Sequence, residues 1–197
     1  MPTHASEETR KTQLLEAAKR CFAAQGYHET TIDDIVHEAG LSKGALYWYF
    51  KSKEELLDNL CDCYSEDLKE PFLKATLAEN VDPLYLMVEV GAAMLKRATE
   101  DPDRRLIWME HWSLAVREPQ SQAKHAALYQ QWLDLDVPLL ERSIAECRLK
   151  PVDPRQLVIS LMALFDGLIL LQAFRPELDV QATWRSSIQM LIEGIRS

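Results

Sequence analysis

Ser42, Lys43, Gly44, Ala45, Tyr47, Trp48 and Tyr49 crowd hydrogen-bond donors and low-profile residues into eight positions of a 197-residue chain. Ser42 and the amides behind it can offer N–H groups to an anion at the positive end of a helix. Lys43 can reach a guanine edge or a phosphate. Gly44 and Ala45 keep the helix surface low, so that backbone can approach base edges and thymine methyls. Tyr47, Trp48 and Tyr49 are successive aromatics, and three successive helical positions cannot all face one core. One or two of them must meet solvent, where tyrosine hydroxyls and an indole N–H suit phosphate. The chemistry is that of polyanion recognition.

Helices must hold these groups in place. Ser6 with Glu7 and Glu8 behind it reads as a helix start, because carboxylates favour the positive end. Leu14, Ala18 and Phe22 then recur every fourth position, and Gly26 ends the helix. Thr31 and Asp34 form a capping-box pattern that opens a second helix. Its apolar stripe is Ile32, Ile35, Val36 and Ala39, and Gly40 stops it after two turns. Ser42 caps a third short helix whose Leu46 and Phe50 point to the core. Ser52 and Glu55 open a fourth, and Pro71 is expected to kink or end it. Two short helices joined through Gly40-Leu41 make a helix-turn-helix over about 31–50, a unit whose second helix enters a DNA major groove. A helical hairpin that merely packs against the rest would carry the same caps.

The net charge of −9 argues against a polyanion partner. The charge is uneven, however. Residues 1–52 carry a net −1 and the remainder −8, and the stretch 39–53 holds Lys43, Lys51 and Lys53 with no acid. A small basic face on an acidic chain implies weak non-specific binding that salt removes easily.

The run from Thr31 to Leu56, TIDDIVHEAGLSKGALYWYFKSKEEL, resembles the signature of the tetracycline-repressor (TetR/AcrR) family of bacterial transcription regulators. The likeness covers about the first quarter of the chain; the rest is similar only in length and helical content. It implies an operator-binding homodimer, usually a repressor, released by a small molecule. By position it implies Thr31 at a phosphate and Lys43, Gly44 and Ala45 at the bases. Tyr47, Trp48, Tyr49 and Lys53 are implied to grip the DNA backbone. Tyr49 stands where many members have histidine, and both donate to phosphate.

The remaining chain reads as helices throughout, about nine in total, giving an all-α fold. The division expected is a DNA-binding head over 1–52 and a helical ligand-binding and dimerisation part over 53–197. Asp82-Pro83, Asp153-Pro154 and Asp179 read as helix starts. Asp101-Pro102 and Glu118-Pro119 mark further boundaries, and Pro138 should bend its helix. Residues 157–174 contain 14 apolar residues in 18. A membrane span needs about 20 with few charges, and Asp166, Gln172 and the flanking arginines argue against one. An all-round apolar helix must instead be buried on every side. The expected cover is a second subunit, through Leu161, Leu164, Gly167, Leu168 and Leu171 together with Ile188, Leu191, Ile192 and Ile195 of the last helix; a core helix of a monomer is the alternative.

Trp108 and Trp112 lie one turn apart, as do Tyr129 and Trp132. With Phe165 and the acids Glu89, Glu110 and Asp166 they form the expected lining of an effector cavity, although plain core packing accounts for any one of them. A carboxylate inside an apolar run is costly unless paired, with Arg97, Arg104 or Arg105 as candidates and a cationic ligand stacked on tryptophan as the alternative. Four cysteines are too few for a disulfide framework, and Cys61 and Cys63 are poorly spaced for a metal. No P-loop, zinc-protease or nucleophile-elbow pattern occurs. The expectation is a cytoplasmic non-enzyme without cofactor or metal, whose partners are operator DNA, an effector and itself. A helical protein that binds a small molecule or partner without an operator is the other reading.

Overall fold

The computed structural model describes residues 7–76, 82–146 and 149–196. The expected start at Ser6 and the fourth cysteine, Cys147, lie outside them. Every regular element among the described residues is helical, with one isolated antiparallel bridge between Leu149 and Arg196.

One compact unit holds α1 (Glu7–Gln25), α2 (Ile32–Ala39), α3 (Lys43–Tyr49), α4 (Lys53–Thr76) as far as Ser65, and α7 (Pro102–Arg117). Packing therefore adds Lys53–Ser65 and the segment 102–122 to the head expected over 1–52. The local signals act as chemistry requires. Thr31 accepts the Asp34 N–H at 3.2 Å while the Asp34 carboxylate takes the Thr31 N–H at 2.8 Å, closing the capping box. Gly40 sits at φ 61°, a left-handed conformation that glycine adopts without Cβ strain, and returns its N–H to His37. The Ser42 hydroxyl accepts the Ala45 N–H at 3.2 Å. At the start of α4 the Ser52 hydroxyl accepts the Glu55 N–H, and the Glu55 carboxylate takes the Lys51 N–H at 2.6 Å.

The core of this unit gathers Leu14 and Phe22 of α1, Ile35 of α2, Leu46 of α3, Phe50, and Ile107 of α7, all fully buried. Burying each such side chain stabilises by ~1.5–3 kcal/mol. Two polar ties fix α7 to it. Glu110 accepts the Tyr27 N–H at 3.2 Å beside Gly26 at φ 83°, and His111 Nε2 lies 3.4 Å from Asp58 Oδ1.

The second unit holds the rest of α4, α5 (Pro83–Tyr85), a π-turn over Leu86–Val90, α6 (Gly91–Glu100), α8 (Pro119–Ala145) from residue 123, α9 (Pro154–Phe174) and α10 (Val180–Ile195). Tyr85 and Val90 keep right-handed helical dihedrals, so α5, the π-turn and α6 run on as one rod and nine rods are described. Pro71 does not end α4, which continues to Thr76, and α8 likewise continues beyond Pro138. Each proline removes one ladder donor from its helix, because its nitrogen carries no hydrogen.

Trp184 of α10 closes the wide turn. Its indole N–H donates to Met87 O at 2.9 Å, its ring meets Phe165 edge-on, and it lies over Gly91, where a Cβ would fall 2.6 Å from Cζ2. Asp153 and Asp179 cap α9 and α10 with their carboxylates. Within one chain α9 buries only Val158, Leu168 and Ile169 of its apolar set. Its most apolar eighteen residues have mean hydropathy 2.2, enough by length and composition to cross a bilayer. Its place against α6 and α10, and Asp166 at its middle, put it in a helical bundle instead.

Candidate nucleic-acid interface

The seven residues of α3 are anchored by Leu46, and Phe50 follows them into the same core. This fixes which face stays open. Lys43, Gly44, Tyr47 and Trp48 share that face, with Tyr47 54% and Trp48 76% exposed. Two large aromatics left this open forgo burial worth ~1.5–3 kcal/mol each, which needs a reason beyond folding. Tyr49 is half-buried on the core next to Phe50, and Ala45 is half-buried beside the open face. Thr31 and Ser42 are exposed at the starts of α2 and α3, although each already serves its helix cap.

Two of the polar tips on the open face, those of Lys43 and Trp48, are held by carboxylates from other helices. Lys43 Nζ lies 2.8 Å from Asp33 Oδ1, at the first turn of α2, and the bond to Asp33 raises the Lys43 pKa above the ordinary lysine value. The Trp48 indole N–H donates to Glu7 of α1 at 3.3 Å. Asp34, next to Asp33, is spent on the Thr31 cap, whose hydrogen bonds hold its carboxyl below the usual range. Neither Asp33 nor Glu7 stands out in the sequence, because nothing local pairs them with residues 10 and 41 positions away.

Lys53 corrects the expectation that it grips the DNA backbone. Its ammonium turns inward and donates to the carbonyl oxygens of Tyr27, His28 and Thr30 at 2.6, 3.2 and 2.7 Å. It also lies 4.4 Å from the centre of the Tyr27 ring, and burial lowers its pKa. An ammonium has three N–H donors, and all three are engaged by the chain's own carbonyls, two of these bonds being partly buried.

The residues of the expected effector lining are shared between the two units. Trp108, Glu110 and Trp112 lie on α7 in the first unit, where Trp108 packs on the core and Glu110 holds Tyr27. Glu89, Tyr129, Trp132, Phe165 and Asp166 belong to the second. There Tyr129 of α8 hydrogen-bonds Asp166 of α9, and burial pushes that carboxyl up to about 6 against the opposing effect of the tyrosine bond. Trp132 meets Phe72 edge-on, and Lys69, bonded to Glu66 and Gln131, lies 6.0 Å from the Trp132 ring centre. Glu89 pairs with Arg185 of α10 at 3.0 Å, not with Arg97, which is held by Asp67. Asp136, on the same stripe of α8 as Tyr129 and Trp132, is pushed up to about 7 by burial alone.

The expected interface set also divides. Leu168, Ile188 and Ile192 are buried in their own chain, so they cannot face a partner directly. Leu161, Leu164, Leu191 and Ile195 are half-buried, Leu171 is 51% exposed, and Gly167 has no heavy atom within 4 Å of its Cβ position. Phe174, 73% exposed, extends the open side of α9.

Known proteins match both halves of this architecture. Residues 14–60 match the family of bacterial regulatory proteins of the tetR type, and residues 86–193 match the C-terminal region of BetI-type transcriptional repressors. The transcriptional regulator AcrR of Shigella flexneri is 25% identical over 95% of this chain and 89% of its own. TtgR of Pseudomonas putida is 39% identical over 42% of this chain and 39% of its own. The crystal structure of FadR from Bacillus subtilis, in complex with stearoyl-CoA, superposes with a TM-score of 0.81 at 19% identity, covering 94% of this chain and 99% of FadR. The chain thus belongs to the TetR family of DNA-binding transcriptional regulators.

Proposed function

We propose that the chain binds a palindromic operator in the cytoplasm as a homodimer, represses transcription there, and lets go when a small molecule enters its second unit. The observation that carries this reading is the open face of α3, where Lys43, Tyr47 and Trp48 stand in solvent while Leu46 and Phe50 are sealed in the core. Lys43, Gly44 and Ala45 meet base edges, and Thr31, Ser42, Tyr47, Trp48 and Tyr49 meet phosphates.

Dimerisation is supported by the apolar side of α9 that its own chain leaves uncovered, with Leu170, Leu171 and Phe174 exposed and Met190 of α10 in the same state. Gly167 and Gly194 leave room for close helix approach. Covering that side with a second copy builds an intersubunit four-helix bundle. The effector site lies among Tyr129, Trp132, Phe165, Asp166 and Glu89, whose aromatic rings and carboxyls suit an apolar molecule carrying a hydrogen-bonding or cationic group.

Two recognition helices must stand about one duplex turn, ~34 Å, apart, so a small rotation abolishes joint binding. An effector with ~100-fold preference for the misaligned arrangement shifts the equilibrium by ~2.7 kcal/mol. Gel retardation with DNA flanking the chain's own gene tests the reading. Sequence-preferring, salt-sensitive retardation is expected; its absence at all salt concentrations rejects operator binding.

A further inference from the structure

Lys43, on the open face of α3, already has its charge matched by a carboxylate of its own chain. Asp33 leaves the first turn of α2 with its neighbour Asp34 engaged in the helix cap, so Asp33 is the carboxylate left to face α3. It takes Lys43, the first residue of α3, at 2.8 Å, with both side chains more than half exposed. Trp48, five residues further along α3, donates its indole N–H to Glu7.

We propose that Asp33 is a specificity-determining positioning residue: it competes with DNA phosphates for Lys43, and so suppresses non-specific binding more than operator binding. An ammonium has three N–H donors. One can stay on Asp33 while another reaches a guanine acceptor, so a base contact survives the pair. A phosphate contact draws mainly on net charge, which Asp33 cancels. The aspartate therefore turns a general phosphate hook into an oriented hydrogen-bond donor. This rests on the operator-binding reading only for the base contact; the effect on random DNA stands without it.

The test measures affinity against salt concentration, on random-sequence duplex and on the operator, for wild type, Asp33→Asn, Asp33→Glu, Lys43→Gln and the double variant Asp33→Asn/Lys43→Gln. Asp33→Asn is expected to tighten random-duplex binding about two- to fivefold at low salt. Its slope of log affinity on log salt steepens by about 0.9, as one released phosphate contact requires. Operator affinity moves less, so the ratio of specific to random binding falls. Asp33→Glu keeps the charge and behaves as wild type. The double variant, lacking both charges, matches wild type on random DNA, and this comparison does not depend on how Asp33→Asn folds. Glu38→Gln, which releases Arg20 from its 2.6 Å pair and makes the same change in net charge, serves as the control.

The proposal is overturned if Asp33→Asn leaves random-duplex affinity and slope unchanged, or if the steeper slope persists when Lys43 is already glutamine. It is also overturned if Glu38→Gln gives the same gain, or if operator and random binding tighten equally. Failure of wild type to prefer any operator rejects the operator reading instead, and the random-duplex arm still decides the competition.

Discussion

Replacing Lys53 with methionine separates a structural lysine from a DNA-contacting one. Methionine keeps most of the aliphatic stem and deletes the ammonium, leaving the carbonyls of Tyr27, His28 and Thr30 without their shared donor. The bonds to Tyr27 and Thr30 are partly buried, and the bond to His28 is exposed and is recovered by water. Losing a bond to a charged donor costs ~1.5–3 kcal/mol where water is excluded, and less where it is not. Two partly screened losses therefore amount to about 2–3 kcal/mol. At about 2–4 °C per kcal/mol for a chain of this size, the melting midpoint falls by roughly 4–12 °C. Calorimetry measures that shift, and fluorescence anisotropy on the operator, at a temperature where the variant is folded, measures DNA affinity against salt. Operator affinity and salt slope are expected to stay as in wild type. An unchanged midpoint together with a slope shallower by about 0.9 would mean that Lys53 holds phosphate, and the inward geometry would be refuted.

Three further outcomes follow from the second unit. Gly91→Ala places a Cβ 2.6 Å from the Trp184 ring; although alanine in a helix ordinarily gains ~1 kcal/mol over glycine, overpacking at ~1–3 kcal/mol and the strained Met87 bond should make the variant less stable by urea denaturation. Asp136 has a folded pKa of about 7 against an unfolded value near 4. The native state therefore binds more protons than the unfolded state between those values, and Asp136 lowers stability as pH rises from about 4 to 7. Asp136→Asn removes that loss, so its stability relative to wild type should improve by about 2–3 kcal/mol between pH 5 and pH 8, as paired denaturation curves will read. Leu171→Glu with Phe174→Glu places charge on the open side of α9 and should weaken self-association at least ~30-fold; sedimentation measures the mass, and an unchanged dimer would remove this face from the interface.

What could be read in advance was what forms between neighbours in the chain. Thr31 with Asp34, Gly40, Ser42, Asp153-Pro154 and Asp179 announce their helix ends because each cap is closed within three or four residues. The open face of α3 was legible for the same reason: three adjacent aromatics cannot share one core. Partners across helices were not. Glu110 meets Tyr27 from 83 positions away, Glu89 meets Arg185 from 96, and Lys53 meets carbonyls 23 to 26 positions upstream. The pattern of Trp108 and Trp112 fixes only a shared helix face, and nothing in it tells that their helix belongs to a different compact unit from Tyr129 and Trp132. The π-turn left no mark in the sequence, since Leu86–Val90 reads as an ordinary apolar run and widens where Trp184 reaches Met87.

The central claim is that the exposed side of α3 enters a DNA groove. Its most direct test is operator affinity, by fluorescence anisotropy, for Lys43→Ala and Trp48→Ala beside a melting curve for each. Operator affinity should fall tenfold or more, about 1.4 kcal/mol, with the melting midpoint unmoved, because neither side chain is part of the core. Full operator affinity in both variants, or a collapse of the midpoint in either, would contradict it.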